Sequence, residues 1–189
     1  MTRCTSLLTA VLLALLAVPA TAHADAPLDR PAALHADVEI DPTAYVLDGN
    51  SIHVGIGWRS LRLDLGNFAL AMPQFVHGDD GFDVAFDGYG AKLQWFPFAE
   101  QRGLFVGVDA GVSRVRIERQ GSDRGVRQTQ LGAGVHAGYR ISLPAGFYVT
   151  PWIGVGVQSG ADDVTIDGAT YEGSALSVFP AIHLGYRFR

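Results

Sequence analysis

The length, charge and cysteine content of this chain exclude several classes of protein. Its 189 residues include 14 basic and 19 acidic ones, a formal net charge of −5, and no basic tract, so we do not expect nucleic acid as a partner. The single cysteine is Cys4. Thiol catalysis, thiolate metal ligands and disulfides are therefore excluded for the rest of the chain.

The first 24 residues have the pattern of a secretory signal peptide. Arg3 precedes an apolar run at residues 7–20, and the small residues of AHA at 22–24 occupy the positions that a signal peptidase reads. The run is too short to cross a membrane as a helix. We expect cleavage before Asp25, which leaves 13 basic and 19 acidic residues, hence 13 − 19 = −6.

The rest of the sequence alternates between apolar and polar residues with period two. The clearest example is RQTQLGAGVHAGYRISL, at 127–143, where one set is apolar and the other is polar or glycine. Such alternation predicts strands with two different faces. Eight strands are predicted, at 37–46, 51–58, 61–70, 87–97, 103–118, 127–143, 146–158 and 176–188. Pro151 and Pro180 lie inside predicted strands, where each removes a backbone donor.

The connections between these strands alternate in length. Those at 59–60, 98–103 and 144–146 are short, and the others are mostly longer, polar and acidic. Short turns at one end and long loops at the other are typical of an outer-membrane barrel, whose strands cross the bilayer with about nine to eleven residues. Alternation alone would also fit a soluble all-β protein.

Three features indicate that the apolar face is the outer one. The polar face is rich in glycine, which suits the tight lumen of an eight-stranded barrel. Charge is nearly absent from the apolar face of the central strands. Aromatic residues near the short turns resemble an interfacial girdle; they are Trp58, Trp95, Tyr139, Tyr186 and Phe188. The sequence therefore predicts an all-β, antiparallel, eight-stranded transmembrane β-barrel at 37–189, after an N-terminal segment at 25–36.

The chain resembles the small eight-stranded outer-membrane β-barrel proteins of Gram-negative bacteria. The resemblance covers about Asp37 to Arg189. It rests on the strand pattern and on Tyr186-Arg187-Phe188, which is similar to the aromatic-x-aromatic signal read by barrel-assembly machinery. It implies an exported protein of the cell outer membrane, in contact with outer-membrane lipid and lipopolysaccharide, and with the assembly machinery during insertion.

The predicted lumen face carries charges of both signs. It holds Asp37, Glu39, Asp41, Arg62, Asp64, Lys92, Asp109, Arg140 and Arg187, with His53, His136 and His183. Charges in a narrow interior need partners. We predict an ion-paired plug in which Lys92 and Asp109 are close on neighbouring strands and Glu39 meets Arg187 where the barrel closes. The residues assigned to it are Glu39, Asp64, Lys92, Asp109, Arg140 and Arg187. A narrow or gated pore is the alternative.

No catalytic, cofactor or metal site is predicted. The lumen histidines lack metal-ligand spacing, and Ser177 and His183 lie about 20 Å apart along one strand, too far for a nucleophile–base pair. His77 belongs to an acidic rim cluster without an assigned nucleophile. The acidic loops at 77–87 and 160–172 are expected to be solvated, and Ca²⁺ bridging to lipopolysaccharide is the alternative.

We therefore expect a non-enzymatic and monomeric protein with a structural or surface role in the envelope. Two alternatives remain open. One is a periplasmic lipocalin-like barrel that binds an apolar ligand in an inner pocket lined by Trp58, Trp95 and Tyr139. The other is a lipid A-modifying enzyme, which would need a nucleophile and a base close together at a rim.

Overall fold

The computed structural model describes residues 34–98 and 101–188, which form a closed antiparallel β-barrel. The barrel strands are β1 His35–Ile40, β2 Asn50–Trp58, β3 Leu61–Met72, β4 Phe82–Trp95, β5 Gly103–Arg119, β6 Gly125–Ser142, β7 Phe147–Ser159 and β10 Leu176–Arg187. Around the barrel they follow the order β1-β10-β7-β6-β5-β4-β3-β2. Eight antiparallel barrel strands confirm the predicted fold class. The predicted signal peptide lies outside the described residues.

Four smaller elements occupy the connections. They are α1 Pro42–Val46, α2 Gln74–His77 and the two strands of a separate hairpin, β8 Val164–Ile166 and β9 Ala169–Tyr171. A 3₁₀ turn at Pro144–Gly146 joins β6 to β7. Among the described residues, no helix is long and apolar enough to cross a membrane.

Strand β1 ends at Ile40, earlier than the sequence pattern predicts. The Asp41 side chain accepts a hydrogen bond from the backbone N–H of Thr43 at 2.9 Å, and Pro42 follows it at the first helical position. An aspartate cap and a proline in the first turn both favour a helix start. The prediction of a strand through Val46 is therefore wrong. Asp41, assigned to the lumen charges, is 4% exposed and caps the helix.

Side chains alternate between the outside and the inside of the barrel. On β3, Leu61, Leu63 and Leu65 are 42–55% exposed, whereas Arg62 and Asp64 between them are fully buried. Because Arg62 and Asp64 contact residues of other lumen-facing strands, the buried set points inward. The apolar face is therefore the outer face of the barrel.

The barrel wall is uneven in height. We call the side with the turns at 59–60, 96–102 and 143–146 the short-turn end, and the opposite side the long-loop end. Strands β4, β5 and β6 have 14, 17 and 18 residues, whereas β1 has 6. The wall is consequently high at β4–β6 and low at β1, where α1 continues the chain.

The β8–β9 hairpin folds into the long-loop end of the barrel. Val164 and Ile166 are 7% and 5% exposed and pack against inward-facing residues of β4 and β5. We call this cluster the apolar cap; its buried members are Phe82, Val84, Val115, Ile117, Val164 and Ile166. The loop at 160–172, expected to be solvated, is so only in part, because Val164 and Ile166 are buried while Asp162 and Asp163 are exposed.

Pro151 interrupts one strand ladder. The pairing of β6 with β7 stops after Gly138–Trp152 and resumes at Ile141–Val149 in the same register. A proline without an N–H in the opposing strand accounts for the gap. The register is the same on both sides of the gap.

Candidate functional site in the barrel lumen

Charged side chains from six strands meet in the half of the lumen nearest the short turns. Strand β1 supplies two of them and β3 two more, and β2, β4, β6 and β10 supply one each. We call this set the ion-pair network; its members are Asp37, Glu39, His53, Arg62, Asp64, Lys92, Arg140 and His183. The Lys92 side chain is 13% exposed, and the other members are 5% exposed or less.

Arg62 lies at the centre of the network. Its Nη2 is 2.5 Å from Oδ1 of Asp37, and its Nε donates to both oxygens of the same carboxylate at 3.1 Å. The Arg62 Nη2 is also 3.0 Å from Oδ2 of Asp64, and Nη1 donates to Gln94 at 3.0 Å. One planar guanidinium thus joins β1, β3 and β4 through charge-assisted hydrogen bonds.

Glu39 makes the contacts that reach farthest across the lumen. Its Oε1 accepts from Nη2 of Arg140 at 2.8 Å, and its Oε2 lies 2.9 Å from Nδ1 of His183. The predicted meeting of Glu39 with Arg187 is wrong in register, because Arg187 lies opposite Asp37 and Glu39 lies opposite Gly185. Arg187 is half-buried at the short-turn end.

Lys92 contacts Asp64 rather than Asp109. The two residues Lys92 and Asp109 are direct partners between β4 and β5, as their spacing from the shared turn implies. The Lys92 ammonium, however, lies 3.3 Å from Oδ1 of Asp64, which also contacts His53 Nδ1 at 2.8 Å. Asp109 contacts His136 instead, at 2.9 Å.

The network is balanced in charge. Its carboxylates are Asp37, Glu39 and Asp64, and its permanent cations are Arg62, Lys92 and Arg140. Leaving one such charge without its partner would cost about 3–5 kcal/mol. Aromatic rings flank the cations, with Arg140 over Tyr148 at 4.3 Å and Lys92 over Trp152 at 5.0 Å. Chemically, the arrangement cross-links distant strands and fills this half of the lumen.

Glycines make room for the network. A Cβ on Gly55 would lie 2.3 Å from Oδ1 of Asp37, and one on Gly185 would lie 2.2 Å from the ring of Tyr148. Only glycine leaves space for these buried side chains, as the tight-lumen prediction requires. Gly132, farther up the barrel, differs, because a Cβ there would meet only one backbone oxygen, at 3.8 Å.

The aromatic residues assigned to an interfacial girdle lie on the outer face at the short-turn end. Trp58, Trp95 and Phe188 are 47–50% exposed, whereas Tyr139 and Tyr186 are half-buried. Phe147 belongs with them: it is 54% exposed, and its ring packs edge-to-face on that of Tyr186 at 5.0 Å. This placement does not fit the alternative with an inner pocket lined by Trp58, Trp95 and Tyr139.

The rim cluster around His77 is held together by its own contacts. His77 Nδ1 accepts from the backbone N–H of Asp79 at 3.3 Å, and its ring lies 6.0 Å from that of Tyr171. Within residues 34–98 and 101–188, no group of three or more His, Cys, Asp or Glu residues is placed to hold a metal ion.

Two central members are absent from the network predicted from the sequence. Asp37 and Arg62 were placed on the lumen face, yet the assigned network omitted them. Their positions give the signal that was available: each is a charged residue at a lumen-facing position of a strand, two residues from a further lumen charge. Such pairs on one strand indicate that both side chains enter the same layer of the lumen.

Comparison with known proteins gives a likeness of fold. No family model matches the chain, and no curated protein matches it in sequence. Among solved structures it is similar to Neisserial surface protein A (NspA), at 15% identity over 82% of this chain and 94% of that one, with a TM-score of 0.47. It is also similar to the N-terminal β-barrel domain of OprF from Pseudomonas aeruginosa, at 15% identity, 82% and 97% coverage and a TM-score of 0.46.

Proposed function

We propose that this chain is an integral outer-membrane protein with a non-enzymatic, structural or surface role. The observation that carries the proposal is the inverted polarity of the barrel: fully buried ion pairs inside and exposed aliphatic side chains outside. The outer residues include Val54 and Ile56 on β2, Val106 and Val108 on β5, and Ile182 on β10, all 50–54% exposed. A soluble protein rarely exposes so continuous an apolar surface.

The dimensions of the strands support the same proposal. A membrane-spanning strand needs about nine to eleven residues, and β2 has 9 while β10 has 12. The surface beyond the apolar band becomes charged, as in the pair Arg114–Asp87 at 2.5 Å on the outside of β5 and β4. The apolar band therefore fits the hydrocarbon layer, and the high wall at β4–β6 projects beyond it.

A non-enzymatic role is supported by how the lumen groups are used. His53, His136 and His183 each contact a carboxylate at 2.8–2.9 Å, and each is 5% exposed or less, so these histidines are buried inside the lumen rather than open to a lipid substrate at a rim. The expected readout is unchanged lipid A: its mass spectrum from cells that overproduce the chain should match that from cells that lack it. A new acylated or deacylated species would contradict the proposal and favour the lipid A-modifying alternative.

The proposed orientation places the long loops outside the cell and the short turns in the periplasm. We further propose that Tyr186 and Phe188 engage the assembly machinery and that the chain is monomeric among lipid and lipopolysaccharide. Asp123→Cys, in the exposed β5–β6 loop, and Ser60→Cys, in the β2–β3 turn, provide matched probes. The only native cysteine, Cys4, lies in the predicted signal peptide and gives no background after cleavage.

A membrane-impermeant maleimide tests this orientation on whole cells. We expect labelling of Asp123→Cys in intact cells and of Ser60→Cys only after the outer membrane is permeabilised. Labelling of both variants only after permeabilisation would contradict surface exposure and place the whole protein in the periplasm.

A further inference from the structure

The barrel wall lacks a strand beside the upper part of β10. Strand β1 pairs with β10 from Asp37–Arg187 to Ile40–Leu184 and then ends. On its other side, β10 stays paired with β7 up to Leu176–Val157. Residues 176–183 of β10 therefore have a strand partner on one side only.

The backbone groups at this open edge can be identified. The Phe188 N–H donates to the carbonyl of Ala36 in the β1 segment at 3.0 Å. Since backbone groups point to alternate sides along a strand, the N–H and C=O groups of the even-numbered β10 residues face the open side. Leu176 is satisfied there by the Ser174 hydroxyl. Pro180 has no N–H, as suits an edge. The peptide groups of Val178 and Ile182 remain without a strand partner.

Helix α1 covers the edge without hydrogen bonding to it. Ala44 in the helix is 1% exposed. The carbonyl of Leu47, the residue that follows the helix, accepts from the Ala71 N–H of β3 at 2.8 Å. The Tyr45 hydroxyl donates to the carbonyl of Ser51 on β2 at 3.2 Å. All residues of α1 and β10 are described, and no backbone hydrogen bond joins the two. The helix is thus fastened to β2 and β3, and its boundary with β10 is a seam.

The lumen behind the seam is aromatic and partly accessible. Phe179 points inward from β10, is 38% exposed and lies 5.8 Å from the ring of Trp152 on β7. The lumen-facing Gly132 leaves open space, and the Asp109 side chain is 34% exposed. We call the part of the lumen lined by Asp109, Gly132 and Phe179, between the ion-pair network and the apolar cap, the middle layer.

We propose that the seam between α1 and β10 admits one acyl chain of a membrane lipid or related amphiphile into the middle layer of the lumen. The outer side of the edge is apolar, with Leu176 and Val178 65% and 52% exposed. The inner side offers the partly exposed Phe179 ring, which packs on the buried Trp152, and the open peptide groups of Val178 and Ile182 suit the ester or amide at its head. An acyl chain is the occupant because, on the proposed function, chains surround the barrel at this height.

Tryptophan quenching tests this proposal, because the chain has three tryptophans of which only Trp152 faces the lumen. In the double variant Trp58→Phe/Trp95→Phe, all tryptophan emission comes from Trp152. The protein is refolded into dioleoyl phosphatidylcholine vesicles and into matched vesicles whose acyl chains are brominated. We expect a loss of Trp152 emission in the brominated vesicles.

Two matched substitutions on β6 distinguish quenching by an acyl chain inside the lumen from quenching by lipid on the other side of the barrel wall. Gly132→Phe fills the middle layer, and Val135→Phe adds the same ring to the outer face, where Val135 is 55% exposed. We expect Gly132→Phe to restore Trp152 emission and Val135→Phe to leave the quenching unchanged. Quenching that survives Gly132→Phe would overturn the proposal.

A variant that keeps only Trp95 separates this proposal from the proposed function. Trp95 is 50% exposed on the outer face and must be quenched if the barrel is inserted. A quenched Trp95 with an unquenched Trp152 would overturn acyl-chain entry and leave the outer-membrane proposal standing. No quenching of either residue would overturn both.

Discussion

Glu39 accepts a hydrogen bond from Arg140 at 2.8 Å, although the two residues are 101 positions apart in the chain and lie on strands that are not neighbours. The contact spans the lumen between β1 and β6. Together with the Arg62–Asp37 pair, it fastens the short first strand to the rest of the barrel. The ion-pair network therefore holds the strands of this barrel together, as an apolar core does in a soluble protein.

Glu39→Gln should destabilise the folded barrel strongly. The substitution leaves the buried Arg140 and His183 without their carboxylate, and breaking a buried pair costs about 3–5 kcal/mol. The measurement is the urea midpoint of tryptophan emission in lipid vesicles. Glu118→Gln, where the carboxylate is 47% exposed, is the matched control and should change the midpoint little. Equal midpoints for the two variants would contradict the role assigned to the network.

The pair Glu39 and Arg140 should show energetic coupling. Arg140→Met removes the cation and retains a long side chain, so the double variant Glu39→Gln/Arg140→Met should be less destabilised than the sum of the single variants. The coupling comes from the same urea midpoints. Strict additivity would mean that the 2.8 Å contact contributes nothing to stability.

Gly185→Ala should destabilise the barrel, whereas Gly132→Ala should not. A methyl group at Gly185 collides with the buried Tyr148 ring, but one at Gly132 enters open space. Overpacking of this kind costs about 1–3 kcal/mol. Thermal loss of the folded band on unheated gels measures both variants. A lower melting temperature for Gly132→Ala than for Gly185→Ala would contradict the tight packing at Gly185 and the open space at Gly132.

The strand alternation was sufficient to predict the barrel and its inside-out polarity. On β3, period two alone assigned Arg62 and Asp64 to the lumen, because a one-residue shift would have put every leucine there. It could not assign partners. Lys92 lies opposite Asp109 on β5 and opposite Asp64 on β3, and its ammonium contacts Asp64. That choice depends on which charges the other strands bring to the same layer.

Asp41→Ala should loosen α1 and expose the edge of β10. Loss of a helix cap costs about 0.5–2 kcal/mol, and α1 is only 5 residues long. Hydrogen exchange should therefore become faster at the amides of Val178 and Ile182, which lie beside the helix. The amides of Val155 and Val157 on β7, between two paired strands, should keep their protection. Unchanged exchange at Val178 would contradict the covering role of α1.

Ile166→Ala should release the β8–β9 hairpin without unfolding the barrel. Ile166 is 5% exposed in the apolar cap, and truncation of a buried isoleucine costs about 2–5 kcal/mol. Limited digestion with proteinase K should then cut between residues 160 and 175, while the barrel resists. Thr165→Ser, at an exposed position of the same strand, should leave the hairpin resistant. Equal resistance of both variants would show that the cap does not hold the hairpin.

The sequence held weaker signals for the elements that were missed. Strand β8 has 3 residues, too few for period two to be recognised, but Asp167-Gly168 has positive φ at both residues and is a favoured hairpin turn. Asp41-Pro42 similarly marked the start of α1. Both signals are local, and the longer patterns around them predict a strand at 37–46 and an acidic loop at 160–172 instead. The seam at β10 had no signal of its own, because it arises from the unequal lengths of β1 and β10.

The most direct test of the central claim is the gel mobility of the protein from the outer-membrane fraction, with and without boiling. A closed barrel with a buried ion-pair network should resist unheated detergent and run as a compact form that shifts to the unfolded position on heating. We expect this heat-dependent shift in the outer-membrane fraction. Recovery in the soluble periplasm with a single mobility under both conditions would contradict it.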